Sequence, residues 1–214
     1  MAIISPSILS CDLLTFKDLL PQLKSCGVDM LHFDVMDGNF VPNISFGVPV
    51  IKSIRKHTDI SIDTHLMIDA PHRYIEEFAK YSDWLGFHYE AGSDCLQTLK
   101  RIKELGVKAT ITIKPNTAAE EIFHLLPFCD MVLVMSVEPG FGGQKFIESS
   151  LEKISALKEE RERQGLDFLI EIDGGINSQT ALLAVNAGVD VLVAGSFVFD
   201  SENILEKIAE LKAL

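Results

Sequence analysis

Imidazoles and carboxylates occupy alternate positions of several short apolar runs in this sequence. His32 and Asp34 stand two residues apart in Leu31-His32-Phe33-Asp34-Val35-Met36-Asp37-Gly38, and Asp63 and His65 repeat the spacing ahead of Met67. In an extended strand residues i and i+2 share a face, so each pair points one way while Phe33 and Val35 point the other. A further carboxylate, Asp173, ends an apolar run just before Gly174-Gly175. His32, Asp34, His65 and Asp173 thus form a ligand set of imidazole and carboxylate donors for one divalent cation. Zinc suits it best, with iron, manganese or cobalt as alternatives. Core histidines and helix-capping aspartates are the competing explanation for any one of them alone, and it weakens when all four meet at one end of one sheet. His88 has two readings, an outer partner of the ligands or a group facing substrate.

Glycine clusters carry a second theme. Glu138-Pro139-Gly140-Phe141-Gly142-Gly143, Gly174-Gly175 and Gly195-Ser196 follow three consecutive apolar runs. Backbone N–H groups at such turns approach an oxyanion closely without a cationic side chain, which points to phosphate. Lys145 belongs on the rim rather than on that phosphate. Met36, Met67 and Met135 lie at or near the ends of their runs, where they serve either as core filler or as an apolar wall around a reactive intermediate.

The elements that must position these groups follow one repeating unit, an apolar run, a polar turn and a helix-like stretch. Strands are expected at Ile3 to Leu9, Met30 to Met36, Ile60 to Ile68, Trp84 to Tyr89, Val107 to Ile113, Met131 to Val137, Phe168 to Asp173 and Val189 to Ala194. Helices are expected from an N-cap at Asp12 through Ser25, from Val48 to Lys56, and near 72–80, 94–105, 118–126, 148–164, 178–187 and 202–213. Near-continuous apolar strands alternating with helices imply a parallel sheet buried on both faces. Eight units can close into a (β/α)8 TIM barrel, expected here as a single domain over residues 1–214. A doubly wound open sheet is the alternative, disfavoured because no GxGxxG follows the first strand.

Charge narrows the partners. Asp and Glu outnumber Lys and Arg by 31 to 19, giving a net charge of -12 in 214 residues. That is the wrong sign for nucleic acid or an anionic membrane surface. The four cysteines are scattered without a CxxC pair, as expected for a reducing cytoplasm. No basic residue precedes Lys17 and Ser5-Pro6-Ser7 interrupts the apolar stretch a signal peptide needs.

Ser5-Pro6-Ser7-Ile8-Leu9, His32 through Asn43, His65-Leu66-Met67, Met135 through Phe146 and Asp173-Gly174-Gly175-Ile176 together resemble the ribulose-phosphate 3-epimerase family, in the right order from about residue 3 to residue 200. The resemblance implies a cytoplasmic, homo-oligomeric (β/α)8 isomerase of the pentose phosphate pathway that interconverts D-ribulose 5-phosphate and D-xylulose 5-phosphate with one divalent metal ion. It places the metal ligands on His32, Asp34, His65 and Asp173 and the two acid/base carboxylates on Asp34 and Asp173. It assigns substrate contacts to Ser7, His65, Met36, Met67 and Met135, and the phosphate grip to Gly142, Gly143, Gly174, Gly175, Gly195 and Ser196. Two opposed carboxylates suit an epimerisation, which removes a proton from one face of a carbon and returns one to the other. The departures from the family pattern are Lys114 after the fifth strand and the bulky Phe197, which bear on substrate fit. The alternatives are a D-allulose-6-phosphate 3-epimerase, a related phosphosugar-barrel lyase, or a non-catalytic sugar-phosphate sensor.

Overall fold

The strands run β1 (Ile3–Pro6), β2 (Met30–Met36), β3 (Ser61–Met67), β4 (Trp84–His88), β5 (Lys108–Ile113), β6 (Met131–Met135), β7 (Leu169–Asp173) and β8 (Val191–Ala194). In this computed structural model, which describes residues 2–214, they form one sheet in the order β1-β8-β7-β6-β5-β4-β3-β2, and every named pair is parallel. A parallel bridge between Ser7 and His32 joins the two outer strands, so the sheet curls into a nearly closed barrel. The helices are α1 (Phe16–Ser25), α2 (Val48–Arg55), α3 (Ile75–Phe78), α4 (Cys95–Glu104), α5 (Ser150–Gln164), α6 (Ser178–Ala187), α7 (Ser196–Phe199) and α8 (Ile204–Lys212). This is the (β/α)8 barrel anticipated from the alternation of apolar runs. Among the described residues no helix is long and apolar enough to cross a membrane.

Two cores hold it together. Outward-facing strand residues such as Phe33, Val35, Phe87, Ile111 and Ile172 are buried against the helices. Inside the barrel, Met30, Trp84, Met131 and Val191 pack into an apolar plug at the N-terminal end of the strands. Met30 and Met131 are therefore filler, while the opposite end sets polar groups among smaller apolar clusters that contain Met36, Met67 and Met135.

Local departures from the expected elements have physical causes. β1 stops at Pro6 and the chain turns through a 3-10 segment, Ile8–Ser10, whose first free amide, that of Leu9, is accepted by Ser7 Oγ at 3.3 Å. Asp12 does not cap α1. Its carboxylate instead accepts the Leu14 amide at 3.0 Å, and α1 begins at Phe16. Pro21 lies inside that helix, at its sixth residue, where it forgoes the bond to the Lys17 carbonyl. The stretch at 118–126 forms no α-helix but two 3-10 turns, Ala119–Ile122 and Leu126–Phe128, the second carrying Pro127 at its start. β4 and β6 end at His88 and Met135, short of Tyr89 and Val137. The short α7 after Gly195 was not anticipated.

Candidate active site

The C-terminal ends of the strands gather the singled-out polar residues. His32 and Asp34 project inward from β2, His65 from β3 and Asp173 from the last position of β7. One ligand atom from each of the four lies within 4.8 Å of every other. His32 Nε2 is 3.3 Å from Asp34 Oδ1, 3.9 Å from Asp173 Oδ2 and 3.3 Å from His65 Nδ1, and His65 Nδ1 is 3.3 Å from Asp34 Oδ1. Lone pairs converging at such distances repel unless positive charge lies among them. The electrostatics agree. Burial alone would lower the pKa of His32, but Asp34 and Asp63 outweigh it and hold the ring well above the usual imidazole range. The donor set and its demand for positive charge fit a divalent cation.

The two carboxylates of the set are driven apart. Burial would raise Asp34, yet His32 and His65 hold it well below the usual carboxylate range. Its Oδ2 also accepts the Ser7 hydroxyl at 2.6 Å. Asp173 is pushed up to about 6, first by burial and then by the neighbouring Asp34 charge. A pair of carboxyls with opposite shifts is the arrangement in which one serves as base while the other carries a proton.

Above this floor opens a pocket whose walls include Ser7, Asp34, Asp173, Met36, Met67, Met135, Gly142, Gly143, Gly174, Gly175, Gly195 and Ser196. Every residue expected in the site thus lines it except His32 and His65, which are buried beneath, the latter 1% exposed. The pocket also takes Leu9, Ser10, Pro139, Gln144 and Val193, to none of which the sequence assigns a site role of its own. Lys145 is exposed and stands apart from the pocket walls.

The loops are held by their own chemistry. After β2, the Asp37 carboxylate accepts the amides of Asn39, Phe40 and Asp69, each at 2.8 Å, folding the segment back over the barrel. Asn43 Nδ2 then donates to the Gly140 carbonyl at 3.0 Å, tying this loop to the one after β6. The loop after β7 tolerates no side chain at two places. A Cβ on Gly174, at φ +123°, would lie 2.5 Å from Val137, and one on Gly175, at φ +63°, 2.6 Å from the Phe146 amide nitrogen. Ser136 Oγ donates to the Gly174 carbonyl at 2.7 Å, completing the contact between the two loops.

Three buried or half-buried carboxylates beyond the four were not assigned from the sequence. Asp63 Oδ2 lies 2.6 Å from His32 Nδ1, and Glu171 Oε1 lies 3.8 Å from the same nitrogen. Glu171, fully buried, is raised well above the usual range by burial and by Asp63. Both were visible as the inward residues two positions before His65 and Asp173. Glu90 sits beside His88, which burial lowers to about 4, so that its ring is neutral at physiological pH. Lys114, whose direction the sequence left open, places Nζ 3.8 Å from the centre of the Phe40 ring, and Phe40 in turn lies over His88 with ring centroids 4.8 Å apart.

Comparisons with known proteins give the family and, separately, the fold. The ribulose-phosphate 3 epimerase family description matches residues 3–199. The chain is 44% identical to the ribulose-phosphate 3-epimerase of Bacillus subtilis (strain 168), with 98% of this chain and 97% of the relative covered. It is 43% identical to that of Aquifex aeolicus (strain VF5), with 100% and 97% covered. Solved structures share the fold at lower identity. KGPDC from Streptococcus mutans superposes with a TM-score of 0.74 at 15% identity, covering 100% of this chain and 96% of that one. The 3-hexulose-6-phosphate synthase of Salmonella typhimurium gives 0.71 at 19%, covering 98% and 96%. The chain belongs to the ribulose-phosphate 3-epimerase family.

Proposed function

We propose that this enzyme epimerises C3 of D-ribulose 5-phosphate to give D-xylulose 5-phosphate, with Asp34 and Asp173 as the paired base and acid. The observation that carries this reading is the placement of the two carboxyls on strands β2 and β7 of one pocket floor in a chain of this family, with Asp34 held below and Asp173 pushed above the usual carboxylate range. Asp34 removes the C3 proton, and the electron pair spreads onto the adjacent ketone as an enediolate. Asp173 returns a proton to the opposite face, and the reverse reaction exchanges the roles.

Ser7 holds Asp34 in place through its hydroxyl. His32, Asp34, His65 and Asp173 would hold one divalent cation, for which zinc suits the nitrogen and oxygen donors best. Bound there, it supplies Lewis-acid stabilisation of negative charge on substrate oxygens, worth several kcal/mol beyond the roughly 3–5 kcal/mol of proton transfer. Met36, Met67 and Met135 exclude water from the reacting carbons. The backbone of Gly142, Gly143, Gly174, Gly175 and Gly195, with Ser196, grips the phosphate without a cationic side chain, as a chain of net charge -12 requires of local donors. Cytoplasmic location and homo-oligomeric assembly belong to the same reading, supported by the chain's family membership.

Incubation with D-ribulose 5-phosphate in D2O tests the chemistry directly. Deuterium is expected at C3 of both substrate and product, and epimerised product without it would overturn the two-base scheme. Exhaustive chelation is expected to abolish turnover until a divalent ion is restored, and full activity of the metal-free enzyme would remove the cation.

A further inference from the structure

Behind His65, away from the pocket, runs a buried chain of ring nitrogens that ends on a carboxylate. His65 Nε2 lies 2.9 Å from His88 Nε2, and His88 Nδ1 lies 3.3 Å from Glu90 Oε2. We propose that Glu90 and His88 are positioning residues that act through His65, fixing which of its ring nitrogens carries the proton. This rests on the reading in which His65 helps to hold a cation.

A carboxylate stands at each end of the chain, Asp34 at 3.3 Å from His65 Nδ1 and Glu90 at 3.3 Å from His88 Nδ1, and a His65 Nδ1 lone pair free for a cation requires the direction that ends on Glu90. In that direction His88 donates Nδ1–H to Glu90, which only accepts, and a neutral imidazole then has an unprotonated Nε2. That atom accepts from His65, whose proton therefore sits on Nε2. His65 Nδ1 is left bare, 3.3 Å from Asp34 Oδ1 and from His32 Nε2, where a metal ligand needs its lone pair. Asp63 does the same for His32 in one step, taking Nδ1–H at 2.6 Å and turning Nε2 to the centre, where a cation would displace its proton. For His65 the partner on that side is an imidazole, which carries the influence of Glu90 across the intervening distance. Phe40 packs on His88, and Lys114 packs on Phe40, so the relay is roofed and its middle ring is held in place.

Glu90→Gln reverses this chain without changing its shape. The other carboxylate oxygen, Oε1, accepts the Lys114 amide at 2.8 Å and the Thr117 hydroxyl, so the glutamine carbonyl must take that side. Its NH2 group then faces His88 Nδ1 and donates. His88 becomes the Nε2–H form, and the His65 proton moves to Nδ1, aimed at Asp34.

The test uses full-length protein with 15N-labelled histidine, read by ring-nitrogen chemical shifts after chelation, and zinc affinity measured against a competing chelator. Wild type is expected to carry the His65 proton on Nε2. In Glu90→Gln it is expected on Nδ1, with zinc affinity lower by about 10- to 100-fold and an unchanged melting temperature for the chelated protein. A wild-type His65 protonated on Nδ1 overturns the relay even if the variant fails to fold, and so does a folded variant with wild-type zinc affinity. Wild type that binds no zinc would instead remove the cation reading, while the ring-proton measurement still decides the relay.

Discussion

The two ends of the barrel use the same residue types to opposite purposes. At the N-terminal end, Asp83, Asp130 and Asp190 each stand just before a strand and accept the amide of the strand beside it, those of Ile62, Ala109 and Ile170, each at 2.8 Å. Each is met by a cation from the last turn of a helix: Arg55 at 2.7 Å, Lys103 at 2.9 Å and Arg161 at 2.6 Å. Helices that return antiparallel to the strands bring their C-termini to this end, where cations are favoured by the dipole. At the C-terminal end Asp34, Asp63, Glu171 and Asp173 crowd around imidazoles rather than guanidinium or ammonium groups. A carboxylate whose charge is answered by amides and a guanidinium is structural. One whose charge is left for an ion or a proton to answer is available for chemistry.

Exchanging the character of the two ends should have unequal consequences. The largest effect is expected at the upper end: Asp34→Asn or Asp173→Asn keeps the fold and lowers kcat by about 10² to 10⁴, read in a coupled epimerase assay alongside circular dichroism. Near-normal turnover in either would erase the functional contrast between the ends.

Next in size is a stability effect with a definite pH window. Asp173 is raised from 3.8 to about 6 in the folded chain, so the folded state binds its proton more tightly than the unfolded one. Stability of the chelated protein therefore falls as pH rises from about 4 to about 6. Asp173→Asn removes a penalty on the order of 3 kcal/mol at pH 7.5, and denaturant midpoints of chelated wild type and variant should converge near pH 4. A pH-independent gain would show that the crowding is not electrostatic.

Gly174→Ala sharpens the comparison at the loop that joins chemistry to scaffold. Its Cβ would fall 2.5 Å from Val137 at φ +123°. The variant is expected to lose about 1–3 kcal/mol of stability and to raise KM for the phosphorylated substrate more than it lowers kcat. The smallest effect is expected at the lower end. Asp190→Asn keeps an acceptor for the Ile170 amide but loses the carboxylate charge opposite Arg161, a partly exposed pair worth about 1 kcal/mol or less. Its kcat and KM should match wild type, and a catalytic defect there would contradict the division of labour.

Much of this molecule was legible in one sequence because strand periodicity is local. The alternation in Leu31-His32-Phe33-Asp34-Val35 set His32 and Asp34 against Phe33 and Val35, and the structure keeps that partition. The helix starts were less legible where side chains compete for the same amides, as at Asp12, and the stretch at 118–126 breaks into separate 3-10 turns. The motif from Asp37 to Asn43 was recognisable as a pattern, yet its work as a brace between loops appeared only when Asn43 met Gly140.

What the chain alone determined was direction: which side chains face inward and at which end of their strands they lie, since both follow from a period of two. What only the tertiary structure decided was level. Asp63 and His65 face inward alike, but the register pairs Asp63 with His32 and His65 with Asp34, putting one carboxylate behind an imidazole and the other imidazole beside Asp34 on the pocket floor. Glu171 and Asp173 divide in the same way between the buried interior and the pocket floor. That stagger is a property of closing eight strands around an axis, and no single strand carries it.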